Sequence, residues 1–133
     1  DTEGEVTHFV SAMGTTGTIM GVSDYLKEQN SQITIIGAQP EEGAKIPGIR
    51  KWTNDYVPAI FKASKVDQVL EVSEQEAKEM TQKLASEEGI FAGMSSGGSV
   101  ACAIRVAKNI DRGVIVAIVC DRGDRYLSSS LFE

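Results

Sequence analysis

Apolar and polar positions along this chain alternate between two rhythms. Val6 to Ser11 is a short β-favouring run, and Ile19, Val22 and Leu26 then recur at helical spacing toward Lys27 to Asn30. Ile33 to Gly37 is apolar and β-branched, the pattern of a strand covered on both faces. Together they predict a β-α-β unit, hence a parallel strand pair and a right-handed crossover. From Gln39 to about Lys65 the rhythm breaks. Pro40, Gly43, Pro47, Gly48 and Pro58 predict an irregular excursion with one short helical turn.

Order returns at Val66 to Val72, a further strand. Ser73-Glu74-Gln75-Glu76 then matches a capping box, with Ser73 as N-cap and Glu76 reaching back. Ala77, Met80, Leu84 and Ala85 form one stripe, and Gly89 stands where a helix C-terminal glycine belongs. Ser95-Ser96-Gly97-Gly98 reads as a second glycine-rich turn, followed by a helix from about Ser99 to Lys108. Val114 to Val119 is the last strand, and Cys120 to Arg125 follows its carboxyl end. There are no repeats and no low-complexity linker. The pattern predicts one α/β domain over residues 1–133: three layers, a largely parallel sheet and helices on both faces.

Composition bounds the function classes. The 133 residues are 41% apolar and 24% charged, ordinary for a globular domain. A net charge of −6 without a basic stripe argues against nucleic acid or an acidic membrane as partner. No apolar run approaches the roughly 20 residues of a membrane span. Two cysteines, Cys102 and Cys120, are too few for a disulfide scaffold, so a reducing compartment is expected. The chain opens on Asp1-Thr2-Glu3-Gly4 just ahead of a strand, which gives the expectation of a piece of a longer protein.

The candidate chemistry lies in the turns. Phe9 to Met13 runs into Gly14-Thr15-Thr16-Gly17-Thr18 and then into a helix. The free N–H groups and dipole of a helix N-terminus attract a phosphate. Gly14 and Gly17 let the backbone approach it, and three threonine hydroxyls can donate to its oxygens. No Lys-Ser/Thr pair follows, and the spacing is not that of a dinucleotide fingerprint. A small cup of this kind suits a cofactor with one phosphate. In open parallel sheets, ligands bind beyond the carboxyl ends of the strands, where three polar loops are expected to converge.

Five segments in order carry a resemblance: Gly14 to Thr18, Gln39-Pro40-Glu41, Ile46 to Arg50, Gly89 to Gly98, and Cys120 to Ser128. They resemble the C-terminal half of the cysteine synthases, pyridoxal-phosphate enzymes of fold type II. The Cys120-Asp121-Arg122-Gly123-Asp124-Arg125-Tyr126 loop is similar to that of the B isozyme in particular. The resemblance implies a tryptophan synthase β-like fold and pyridoxal 5′-phosphate as cofactor. It also implies small-molecule substrates, namely O-acetylserine with sulfide or thiosulfate, and a cytoplasmic homodimer. Gly14, Thr15, Thr16, Gly17 and Thr18 would hold the 5′-phosphate and Ser95 would face the pyridine nitrogen, with Gly97 and Gly98 bringing the next helix close to the ring.

Arg50 has two readings, a seat for an anionic sulfur donor or a solvated charge beside Lys51 and Trp52. Cys120 also has two, a pocket wall near the cofactor or a small buried hydrophobe at a strand end. His8 reads as structural. In the family, the Schiff-base lysine lies in the N-terminal half, and none of the eight lysines here falls on its motif. The expectation is a chain with no catalytic residue of its own and no activity alone. Alternatives are another fold type II lyase or dehydratase, such as a serine or threonine dehydratase or a cystathionine β-synthase, or a non-catalytic α/β module for a phosphorylated ligand.

Overall fold

The alternating rhythm becomes an alternating α/β chain in the computed structural model, which describes residues 1–132. The order is β1 (His8–Ala12), α1 (Gly17–Gln29), β2 (Thr34–Pro40), β3 (Gln68–Val72), α2 (Glu74–Glu88), α3 (Met94–Ala107) and β4 (Ile115–Ala117). Two 3-10 turns, Asn54–Tyr56 and Ala63–Lys65, interrupt the excursion where the sequence pattern gives only one. The sheet order is β3-β2-β1-β4, and every neighbouring pair is parallel.

Alternation along the strands sorts the core into two clusters. Phe9, Ile33 and Ile35 pack with Ile19 and Met20 of α1 on one face. Val10, Ile36 and Val72 pack on the other with Ala77 of α2 and Ala101, Cys102 and Val106 of α3. Each large apolar side chain buried in this way contributes roughly 1.5–3 kcal/mol. The three layers expected from the sequence are present, with α1 alone on its face and α2 paired with α3 on the other.

The termini of α2 match their local signals. Ser73 Oγ accepts from Glu76 N–H at 3.1 Å, while the Glu76 carboxylate accepts from Ser73 N–H at 3.0 Å. Gly89 closes the helix in the left-handed region at φ 68°. The start of α3 departs from the expectation. The helix begins at Met94, so Ser95 to Gly98 form its first turn instead of a turn that precedes it. A Cβ on Gly97 would overlap Thr81 Oγ1 and the Ala77 carbonyl of α2. The glycine therefore lets two helix backbones meet closely, a reason for Gly that the local sequence does not reveal. Gly98 faces the core, where a Cβ would stand 2.8 Å from Ile49 Cδ1.

The last strand is also shorter than its apolar run. Its ladder covers Ile115 to Ala117 against His8 to Val10, and one further bond runs from Ile118 N–H to the Val10 carbonyl at 3.1 Å. Ser11 and Ala12 still pair with Gly37 and Ala38 of β2 but have no partner on β4. The sheet thus parts between β1 and β4 at its carboxyl end. This is also the switch point of the topology, because the chain leaves β1 toward β2 on one side and reaches β4 on the other. Open α/β sheets place their ligands at such a point.

Candidate functional site

A cavity of about 340 Å³ occupies the parting between β1 and β4. Its wall includes Gly14 to Thr18, Gly48, Arg50, Ile118 and Cys120. The structure therefore brings the Gly14 to Thr18 turn, Arg50 and Cys120 to one cavity. Ser95 does not line the cavity. It is buried directly behind the wall, with Oγ 3.0 Å from Cys120 Sγ, and a Cβ on Gly48 would stand 2.9 Å from its own Cβ.

The turn that starts α1 lacks a partner of its own. Thr16 is its N-cap and sits in the left-handed region at φ 68°, ψ 3°, an uncommon place for a β-branched residue. Its side chain caps nothing, and the first turn holds no acidic residue. Thr15 and Thr18 are exposed on the cavity. Thr16 Oγ1 is buried and has no hydrogen-bond partner. Such an orphaned hydroxyl costs about 1–3 kcal/mol unless a ligand satisfies it.

The excursion after β2 supplies the facing wall, and it is pinned directly to this turn. Arg50 N–H donates to the Met13 carbonyl at 2.8 Å, and Trp52 Nε1–H donates to the Gly14 carbonyl at 2.7 Å. A Cβ on Gly14 would stand 2.9 Å from the Gly48 carbonyl, so both glycines permit the approach. Lys51 is drawn the other way, to the Glu71 carboxylate at 2.6 Å, which raises the lysine pKa and lowers that of Glu71. Arg50 is left over. Among the described residues no carboxylate pairs with it, and its guanidinium lies 5.7 Å from the centroid of the Trp52 ring. A second depression of about 780 Å³ lies within the excursion, from Pro40 to Tyr56, and shares Gly48 and Arg50 with the first. It is lined by Glu41 and Glu42 together with Lys45 and Lys51, and does not reach the α1 turn.

The start of α3 has an inside partner. The Asp121 carboxylate accepts from Gly93 N–H and Ser96 Oγ–H, both at 3.0 Å, and from the Tyr126 hydroxyl at 2.5 Å. Burial, with the hydrogen bond to the Asp121 carboxylate second, pushes the Tyr126 pKa up to about 12. An anion thus already sits at the N-terminus of α3, and Glu76 performs the same office for α2. Neither Asp121 nor Tyr126 stands out as a site residue in the sequence. The signal lay in the acidic residue of the loop after the last strand, which acquires meaning only once α3 is known to start at Met94.

The cup fits a phosphate on its own geometry: unclaimed N–H groups, exposed hydroxyls, an orphaned buried hydroxyl, no acid in the first turn and an unpaired arginine across the gap. None of the eight lysines lines the cavity. Comparison with known proteins gives the family. Residues 1–121 match the family described as "Pyridoxal-phosphate dependent enzyme". Cysteine synthase B of Pseudomonas aeruginosa PAO1 is 57% identical over 99% of this chain and 44% of its own length. Cysteine synthase B of Escherichia coli K12 is 58% identical over 98% of the chain and 43% of its own. The crystal structure of an Entamoeba histolytica cysteine synthase superposes with a TM-score of 0.91 at 37% identity, covering 99% of this chain and 42% of that one. The chain spans less than half the length of the curated relatives it matches. With residues 1–121 matched to its model, and a parallel sheet that parts at its carboxyl end, the chain belongs to the pyridoxal-phosphate dependent enzyme family.

Proposed function

We propose that this chain forms the phosphate-binding turn and the ring-side wall of a cysteine synthase, which replaces the acetoxy group of O-acetylserine by a sulfur nucleophile. The observation that carries this is the α1 N-terminus, left without a protein anion and open to the cavity that Arg50 and Cys120 also line. The N–H groups and hydroxyls of Gly14 to Thr18 would hold the cofactor's 5′-phosphate. Ser95 would meet the pyridine nitrogen with a neutral hydroxyl, which leaves that nitrogen unprotonated, and its Oγ lies 3.0 Å from the Cys120 thiol on the cavity wall. Pyridoxal phosphate supplies the electron sink for loss of acetate and entry of sulfur. Arg50 would draw in an anionic donor such as thiosulfate, since it faces the cavity with its charge uncompensated. The partners on this reading are small molecules, and the whole protein is a cytoplasmic homodimer.

The donor assignment is tested in the full-length protein. With Arg50→Ala, the reaction with thiosulfate should fall far more than the reaction with sulfide. One partly desolvated charge-assisted contact of about 1.5–3 kcal/mol corresponds to roughly 10- to 150-fold in kcat/KM. Equal losses with both donors would make Arg50 an organiser of the excursion instead. The absence of a cavity lysine is tested on this chain. Borohydride reduction with pyridoxal phosphate should label no single lysine stoichiometrically, and one stoichiometric label would overturn that assignment.

A further inference from the structure

The excursion grips the Gly14 to Thr18 turn by its carbonyl oxygens. Arg50 N–H takes the Met13 carbonyl at 2.8 Å, and the Trp52 indole N–H takes the Gly14 carbonyl at 2.7 Å. An indole nitrogen only donates and a carbonyl oxygen only accepts, so the sense of the second bond is fixed. The Gly14–Thr15 peptide is trans, and in a planar trans unit the C=O and the following N–H point in opposite directions. Trp52 stands outside the cavity, whereas Gly14 and Thr15 line it. The bond that draws the Gly14 oxygen to Trp52 thereby turns the Thr15 N–H to the other side. Among the described residues, no protein acceptor takes that N–H.

We propose that Trp52 is a positioning residue for the phosphate turn: its indole holds the Gly14 carbonyl so that the Thr15 N–H stays turned to the cavity. This rests on the reading of Gly14 to Thr18 as the phosphate cup. Position 14 must be glycine, because a Cβ there would stand 2.9 Å from the Gly48 carbonyl. Glycine, however, leaves the peptide that follows it free to flip. A flip would put a carbonyl oxygen where the N–H stood, and an oxygen dipole repels an anion. The indole bond, reaching across 38 residues, removes that freedom before any ligand arrives.

The chain has one tryptophan, so its indole N–H gives a single nuclear magnetic resonance signal. In the ligand-free chain that proton should exchange with water about tenfold more slowly than an exposed indole, and free exchange overturns the proposal without recourse to any variant. Inorganic phosphate is then titrated while the Thr15 amide signal is followed. Trp52→Phe keeps an aromatic ring and the net charge but removes the donor, and should weaken phosphate about 3- to 10-fold. The Trp52 ring also lies 5.7 Å from the Arg50 guanidinium, so the titration is repeated in an Arg50→Ala background. The loss should persist there by the same factor, because the indole acts on Gly14. A loss that vanishes in that background would mean that Trp52 acts through Arg50, and the proposal fails. A lower urea midpoint with unchanged phosphate affinity would make Trp52 a prop of the fold alone, which also overturns it. If the parent chain takes up no phosphate at Thr15, the cup itself has failed and the role of Trp52 goes with it. If the parent binds and Trp52→Phe binds equally well, only the role of Trp52 has failed.

Discussion

The starts of α1 and α3 are made of the same residue types and do opposite work. Both carry Gly with Ser or Thr around their first turn and stand at the same end of the sheet. At α3, Ser95 and Ser96 are buried, their hydroxyls have partners, and Asp121 occupies the positive end of the helix. At α1, Thr15 and Thr18 are exposed, the Thr16 hydroxyl is buried without a partner, and no acid is supplied. A Cβ on Gly97 has no room, whereas a Cβ on Gly17 meets nothing within 4 Å. Composition alone does not distinguish a ligand-binding helix start from a structural one. Whether the protein has already spent its own anion there does.

The largest expected effect comes from the two glycines. Gly97→Ala drives a methyl into Thr81 and the Ala77 carbonyl, where backbone cannot yield, and should cost about 3 kcal/mol or abolish cooperative folding. Gly17→Ala should stay within about 0.5 kcal/mol of the parent, because its Cβ points into open space. Urea denaturation of both variants decides the matter. A Gly17→Ala loss as large as that of Gly97→Ala would end the contrast.

Removal of the inside anion ranks next. Asp121→Asn keeps a side chain of the same size but withdraws the charge from Gly93, Ser96 and Tyr126, at an expected cost of about 1.5–3 kcal/mol. The same contact gives a pH signature. Tyr126 ionises near pH 10 when unfolded and is pushed up to about 12 in the fold, so its neutral form is favoured by folding. Its contribution is complete below pH 10 and is lost as pH rises toward 12. Denaturation at both ends of that window should show a smaller loss for Tyr126→Phe than for the parent. An equal loss in the two chains would mean that the phenol titrates alike folded and unfolded.

Legibility in the sequence follows the same division between local and distant causes. The capping box at Ser73 is governed by neighbours within a few residues and is where the sequence places it, whereas β2 runs on to Pro40, into the expected excursion, and α1 starts at Gly17, inside the expected turn. The start of α3 was not legible, because two glycines and two serines look like a turn. What makes them helical is the close contact with α2, some 16 residues earlier at Thr81. Nor was the length of β4, which leaves the ladder after Ala117 while β1 runs on to Ala12. Within the site, the cup, Arg50 and Cys120 are brought to one cavity as expected. Asp121 and Tyr126 escaped notice, as did the Trp52 anchor, because each acts through a bond across the fold. The two readings left open for Cys120 narrow to the exposed one, since its thiol lies on the cavity wall.

The smallest effect sharpens the comparison most. Thr16 is held at φ 68°, a conformation that costs a β-branched residue about 1–2 kcal/mol, and its hydroxyl is buried unpaired. Glycine would relieve both, offset by about 0.4–1 kcal/mol of added freedom in the unfolded chain and by the lost methyl contacts. Thr16→Gly should therefore leave stability unchanged or raise it by up to about 1 kcal/mol, while weakening inorganic phosphate several-fold because one donor is gone. A residue that holds strain in the free protein and is satisfied only by a ligand behaves in this way. Calorimetry with phosphate and urea denaturation of the same sample read the two quantities separately. A destabilised variant with unchanged phosphate affinity would show that the Thr16 hydroxyl serves the fold, and the start of α1 would then be no more open than that of α3.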